Sequence, residues 1–335
     1  MDRYTRSLVA DIREKGVLYG REYMVDTIFI GGGTPSLLSS EAAAAILGAV
    51  RESFIVESEA EITIEANPKT LNAEKLMKYR KIGINRLSIG VQSFDNDILK
   101  FLGRIHTAED ALYEFMLARE SGFDNINLDL MFGLPNQGME MWIETLDKAV
   151  ELNPEHISFY SLQIEEDTAF YDDYIDGKLM PANDDLDRKM YHEAIARLAD
   201  AGIKQYEISS AAKPGFECRH NLKYWSFEDY LGIGESASSF IHGIRVTEEP
   251  RAEYHENDDD DSMSEFVFTG LRKISGINKN EFRDRFGRDL WDVYTSRKNL
   301  IEPYIEKGFL IEEDDILRLS EYGFDISNQI MSMFV

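Results

Sequence analysis

Apolar side chains recur along the chain in two alternating rhythms. Tyr4, Leu8 and Ile12 lie four apart and predict a helix over residues 2–16. The run DTIFIGGG, Asp26 to Gly33, is short, β-branched and closed by glycines, the pattern of a parallel strand buried on both faces. Ser40 is the predicted N-cap of a helix whose Ile46, Leu47, Val50 and Phe54 share one face. EITIEANP is the next strand, stopped by Pro68, and AEKLMKYRKIG a helix ending at Gly83. RLSIGVQSF is a strand. Thr107 and Asp110 approximate a capping box before a helix carrying Leu112, Phe115 and Met116.

The alternation continues through strand NINLDLMFGLP, a helix with Trp142, Leu146, Ala149 and Val150 on one face, and strand HISFYSL. Leu186, Met190, Ala194 and Leu198 mark another helix, and KQYEISS another strand. Strands and helices alternating at this spacing predict an α/β fold with a parallel sheet or barrel. Polar residues and glycines collect where strands end, at Gly31–Thr34, Glu65, Gln92, Asp129 and Gln163. In parallel barrels that rim is where sites are built.

After about Gly215 the rhythm gives way to a Gly-rich, aromatic segment reaching Arg251. Helices are predicted over Ser264–Ile274, Lys279–Phe286 and Leu290–Lys307, with Pro303 kinking or dividing the last. GFLIEEDDILRLSEYG reads as a β-hairpin with acids at its turn. Helices followed by a hairpin predict a small winged-helix-like module, and the acidic wing argues against DNA as its partner.

Charge sharpens this. Across 335 residues, 62 acids against 36 bases give a formal net charge of −26, which opposes general nucleic-acid binding. The acidic run Asp258–Asp261 reads as a solvated linker rather than a metal loop. The single cysteine, Cys218, excludes a disulfide scaffold and fits a reducing, cytoplasmic setting. No apolar run approaches a membrane span, and no signal-peptide pattern opens the chain.

The candidate chemistry is at the rim. The glycines of GGGTPSLL allow close backbone approach to a carboxylate or phosphate, although the motif is neither G-x-G-x-x-G nor a P-loop and a simple tight turn fits it too. Glu65, Gln92 and Asp129 end three separate strands, placed to hold an amine and ribose hydroxyls or to plug the barrel mouth as satisfied polar groups. Cys218 has no base and orienting acid in a nucleophile motif and is expected to be a packed small side chain.

TIFIGGGTPSLL, EITIEANP, GINRLSIGVQSF, LGRIHT, NINLDLMFGLPNQ, HISFYSLQIEEDT, QYEISS and CRHNLKYW…DYLGIG follow in order through nearly the whole chain. Together they resemble the radical S-adenosylmethionine (SAM) family that contains oxygen-independent coproporphyrinogen III oxidase. LGRIHT and CRHNLKYW point to its heme-chaperone branch. The resemblance implies a partial (β/α)6 radical-SAM barrel lacking its first strand over residues 1–215. A Gly/aromatic segment over 216–254 and a C-terminal helical, winged-helix-like α+β module over 255–335 would follow. It implies that Gly32, Gly33 and Thr34 take the amino-acid end of SAM, and that Glu65, Gln92, Arg104 and Asp129 line its site. Gln163 would lie nearby. His220, Asn221, Tyr224 and Trp225 match the segment associated with heme, with Arg219 or Lys223 available to propionates.

The family's 4Fe-4S cluster is held by C-x3-C-x2-C, because three thiolates leave the fourth iron for SAM. Those cysteines are absent from this sequence, which therefore is not expected to generate a radical as written. Two readings are open: a sequence shortened at its start, which the exposed edge of TIFIGGG favours, or a cluster-free descendant. The expected function is binding of heme and its transfer to an acceptor protein. The alternatives are oxidative decarboxylation of coproporphyrinogen and a non-radical barrel enzyme acting on a phosphate or sugar.

Overall fold

The computed structural model describes residues 3–335. Its first half alternates α1 (Arg3–Tyr19), β1 (Met24–Ile30), α2 (Ser40–Ser53), β2 (Ile55–Ala66), α3 (Ala73–Lys81), β3 (Arg86–Gln92), α4 (Asn96–Phe101), α5 (Ala108–Glu120) and β4 (Ile126–Phe132). It continues through α6 (Met139–Leu152), β5 (His156–Ser161), α7 (Ala169–Ile175), α8 (Asp184–Asp200), β6 (Lys204–Glu207) and β7 (Ser210–Ala212). The strands form one sheet in the order β1-β2-β3-β4-β5-β7-β6, with β1 to β5 parallel. This sheet curls into a half-barrel.

Local chemistry explains most boundaries. Every residue of β3 is buried, as expected of a parallel strand covered on both faces. Alternation along β3 sends Leu87, Ile89 and Val91 one way and Ser88, Gly90 and Gln92 the other. Thr107 and Asp110 form the predicted capping box on α5, each side chain accepting the other's backbone N–H. The cap of α2 falls one residue earlier than predicted, on Ser39, whose Oγ accepts from Ala42 N at 3.1 Å. Met116 stays exposed on α5 rather than joining Phe115 in the core.

KQYEISS is not one strand. It breaks at Ile208–Ser209 because its partners change. Ser210–Ala212 pairs antiparallel with β5, whereas Tyr206 and Ile208 exchange backbone hydrogen bonds with Ile274 and Arg272.

The chain divides into two compact units, one comprising Met1–Val9, Lys15–Gln205 and Ser209–Glu217, the other Ala10–Glu14, Tyr206–Ile208 and Cys218–Val335. The second unit holds α9 (Arg219–Trp225), an antiparallel sheet of β8 (Ser238–Ile241), β9 (Ile244–Thr247) and β10 (Glu253–Glu256), and α10 (Asp259–Gly270). A further three-stranded sheet joins Ile277–Asn278 to the predicted hairpin, Leu310–Glu313 and Ile316–Leu319. The acidic run is not a linker. Asp258 caps α10 in a reciprocal box with Asp261, and Asp259–Asp261 occupy its first turn, where N–H groups and the helix dipole favour negative charge. The segment after Leu290 divides at Thr295–Arg297, ahead of Pro303, where Tyr294 and Arg297 bond the carbonyls of Phe334 and Met333.

Candidate functional site

The loop after β1 begins the site. Gly32 and Gly33 hold φ of 86° and 65°, a left-handed conformation that glycine adopts without cost. That geometry lets Gly32 N–H reach Glu65 Oε2 at 3.0 Å. Thr34 Oγ1 accepts from Asn67 Nδ2 at 3.1 Å, and Ser36 Oγ meets Thr70 Oγ1 at 2.5 Å, so the loops after β1 and β2 are tied together.

A cleft opens beside this loop at the carboxyl ends of β2, β3 and β4, walled by Gly33, Glu65, Gln92, Arg104 and Asp129. Gln92 sits at φ 68°, a conformation costing about 1–3 kcal/mol for a non-glycine residue, and its Oε1 accepts from Tyr160 OH at 2.9 Å. Burial pushes the Glu65 carboxyl up, with Gly32 N–H opposing and the Asp129 charge reinforcing. Burial also pushes Asp129 up, against Asn127, Arg86, Ser158 and Ser88. Tyr160 is pushed up to about 12, chiefly by burial, and stays a neutral donor. Two carboxylates face one guanidinium across the cleft, so it can orient a zwitterion: ammonium or hydroxyl donors toward Glu65 and Asp129, a carboxylate toward Arg104.

Glu114 on α5 supports the wall from behind. Its buried carboxylate accepts the N–H groups of Lys69 and Leu71, holding the turn that follows Asn67. Its pKa is pushed up to about 7 by burial, with those N–H groups pulling down. A raised carboxyl contributes stability that is complete below its unfolded value and is lost as pH rises through the folded one. The melting-temperature advantage of the native chain over Glu114→Gln is therefore expected to shrink between about pH 5 and about pH 8. An equal difference at both ends refutes this.

Of the residues expected at a SAM site, Gly33, Glu65, Gln92, Arg104 and Asp129 line one cleft, and Gly32 and Thr34 bond its walls. Gln163 does not line it. Pro35, Asn67, Ser88 and Gly90 also line it and were not expected. The alternation of RLSIGVQ puts Ser88 and Gly90 on the same face as Gln92, which was the available signal. Tyr160 carried none.

The residues expected at heme lie on α9 of the second unit. Cys218 stands at its N-cap position, fully buried and making no side-chain cap. His220 Nε2 is 2.8 Å from Tyr224 OH, one turn along the same face. Tyr224 packs edge-on against Tyr230, with ring centroids 4.6 Å apart. The Arg272 guanidinium covers the Trp225 ring at 4.2 Å, and the buried Trp225 indole N–H has no hydrogen-bond partner among the described residues. Asn221 is half-buried on the same helix, and Lys223 pairs with Glu228 at 2.9 Å.

Residues 2–149 match the radical SAM superfamily model and residues 257–326 the HemN C-terminal domain. The heme chaperone HemW of Bacillus subtilis is 37% identical over 325 residues, covering 92% of this chain and 85% of that protein. The chain belongs to the HemW family of radical SAM proteins. HemW of Escherichia coli is 38% identical over 356 residues, covering all of this chain and 90% of its own. The solved coproporphyrinogen III oxidase HemN of Escherichia coli shares the fold, with a TM-score of 0.84 at 23% identity over 99% of this chain and 82% of that one.

The family is one of SAM and a 4Fe-4S cluster. The cleft's donor set fits SAM. The cluster does not fit this chain: Cys218 is its one cysteine, and among the described residues no three His, Cys, Asp or Glu side chains converge. Nor is any helix among them long and apolar enough to cross a membrane.

Proposed function

We propose that this chain binds heme at α9 and passes it to an acceptor protein in the cytoplasm, while the half-barrel cleft binds SAM. The observation that carries the reading is the α9 face. His220 Nε2 meets the Tyr224 hydroxyl, which burial pushes up to about 12; with the ring proton on Nδ1, Nε2 accepts from that hydroxyl through its lone pair. That lone pair is what a heme iron takes from a neutral imidazole. Tyr224 and Trp225 supply aromatic surface beside it, and the unpaired Trp225 N–H is a donor awaiting an acceptor. The same family relationship, over nearly the whole of each HemW relative, supports transfer as the purpose of binding.

Hemin titration tests the assignment. Native protein is expected to shift the Soret band, and His220→Ala to lose that shift. Tyr224→Phe removes the hydroxyl that occupies Nε2 and is expected to bind hemin faster. An identical Soret shift in His220→Ala overturns the ligand assignment. Absence of any shift in native protein overturns the heme reading. No thiolate set supports the oxidase alternative in this chain.

A further inference from the structure

The lumen continues one residue layer below the cleft, and that layer is both dry and polar. Ser88 and Asp129 belong to the cleft wall, and two residues earlier on the same strands stand Arg86 and Asn127, on the same face. The register sets Thr63 beside Arg86 and His156 beside Asn127. Arg86 is 2% exposed, Asn127 1%, and Thr63 and His156 0%. Polar groups at such depth are costly unless paired.

Asn127 fixes the direction of the pairing. One hydrogen of its Nδ2 goes to Asp129 Oδ1 at 2.7 Å and the other to Ser88 Oγ at 2.7 Å. Its Oδ1 accepts from Ser158 Oγ at 3.2 Å and lies 2.6 Å from His156 Nδ1, which must then carry a proton. Ser88 Oγ passes its own proton to Asp129 Oδ2 at 3.3 Å. Both carboxylate oxygens are therefore held as acceptors from beneath. His156 stays neutral, kept so by burial and by the nearby guanidinium.

Arg86 is the cation of this layer. Its Nε has no hydrogen-bond partner among the described residues, a costly state for a group so deep. Packing alone does not call for it, since an apolar chain of similar length fills such a space at no such cost. Its charge acts on Asp129, against the burial that favours the neutral acid.

We propose that Arg86, Asn127 and His156 are positioning residues that hold Asp129 as a charged, two-oxygen acceptor facing a ligand's hydroxyl or ammonium donors in the cleft. Asp129 is faced by Arg86 and Ser88 from β3 and by Asn127 on its own strand. From β5 it meets Ser158 and Tyr160, with His156 one layer below beside Asn127, from β2 Glu65, and along the cleft wall Arg104. Glu65 opposes its charge. Of the two guanidinium groups, Arg86 lies in the layer beneath and belongs to the sheet itself.

The inference rests on the cleft being a ligand site, but its first test needs no ligand. Protein labelled with 13C in its aspartate carboxyls is titrated by NMR, with Asp129→Asn identifying the Asp129 resonance. Arg86→Met is expected to raise the Asp129 midpoint by about one unit or more. Asn127→Leu, which keeps Arg86 but removes the donors, is expected to raise the midpoint as well, and it stands in should Arg86→Met fail to fold. An unmoved midpoint in the folded variant overturns the proposal. SAM binding gives the second arm: in Arg86→Met, affinity is expected to fall about tenfold below native as pH is lowered from about 8 to about 6. Native protein that fails to bind SAM overturns the cleft assignment instead, and the carboxyl titration still decides the role of Arg86.

Discussion

Gly90→Val is expected to abolish SAM binding in the cleft while leaving the half-barrel folded. Gly90 lies in β3 between Ser88 and Gln92, on the face that lines the cleft. It is not among the residues with positive φ, so a β-branched side chain suits its strand backbone. What it lacks is space. A Cβ there would stand 2.9 Å from Asn67 Oδ1 and 3.1 Å from Gln92 Nε2. Neither neighbour is free to retreat: Asn67 is tied to Thr34, and Gln92 is held by Tyr160. The two further methyls of valine then enter the cleft itself, among the polar groups that would meet the ligand. The expected loss is about 100-fold or more in SAM affinity by calorimetry, roughly 2.7 kcal/mol. Ala at the same site is expected to fall between, because it brings the same crowded Cβ but not the two further methyls that enter the cleft. Retained affinity in a folded Gly90→Val protein would mean that SAM does not use this cleft.

That test depends on a residue the sequence did not single out, and the reason is instructive. The parallel strands were legible because buried β-branched runs between glycines have few other uses, and the capping box on α5 was legible because Thr107 and Asp110 stand three apart. Glu65, Gln92 and Asp129 stood out as polar ends to apolar strands. Gly90 and Ser88 are small, and inside RLSIGVQ they read as strand filler until curvature turns their face inward. Arg86 is harder still. A basic residue opening an apolar strand looks like a solvent-facing end, and only the sheet register shows it sealed beside Thr63. The break in KQYEISS depends on which backbones compete for each half, and the capping role of Asp258 on where a helix begins. Both are properties of pairing, which one segment does not encode alone. The helix at α9 was hidden for a related reason, since its seven residues carry polar, basic and aromatic groups with no clean apolar stripe.

Trp142→Ala is expected to be the most destabilising single truncation in the sheet unit. Trp142 is fully buried on α6, and its indole N–H donates to Met190 O on α8 at 2.8 Å. Its ring packs against Phe132 of β4 at 5.5 Å, and Phe132 in turn lies 6.3 Å from Tyr191. One side chain thus joins two helices to the strand that carries Asp129. Truncation removes the transfer energy of a large ring, leaves a void that two helices and a strand cannot close, and orphans a buried acceptor site. Trp→Ala changes of this kind cost about 3–5 kcal/mol, a large share of the roughly 5–15 kcal/mol that holds an ordinary domain together. Trp142→Phe keeps most of the ring and loses the hydrogen bond, so about 1–2 kcal/mol is expected from that bond, together with a smaller void. Urea unfolding followed by circular dichroism measures both. The order native, Phe, Ala is the expected result, and an Ala variant within about 1 kcal/mol of native would show that α6 and α8 are held to the sheet by other contacts. Because β4 also bears Asn127, the Ala variant is expected to weaken SAM binding before it unfolds, a loss that added urea enlarges and Gly90→Val does not share.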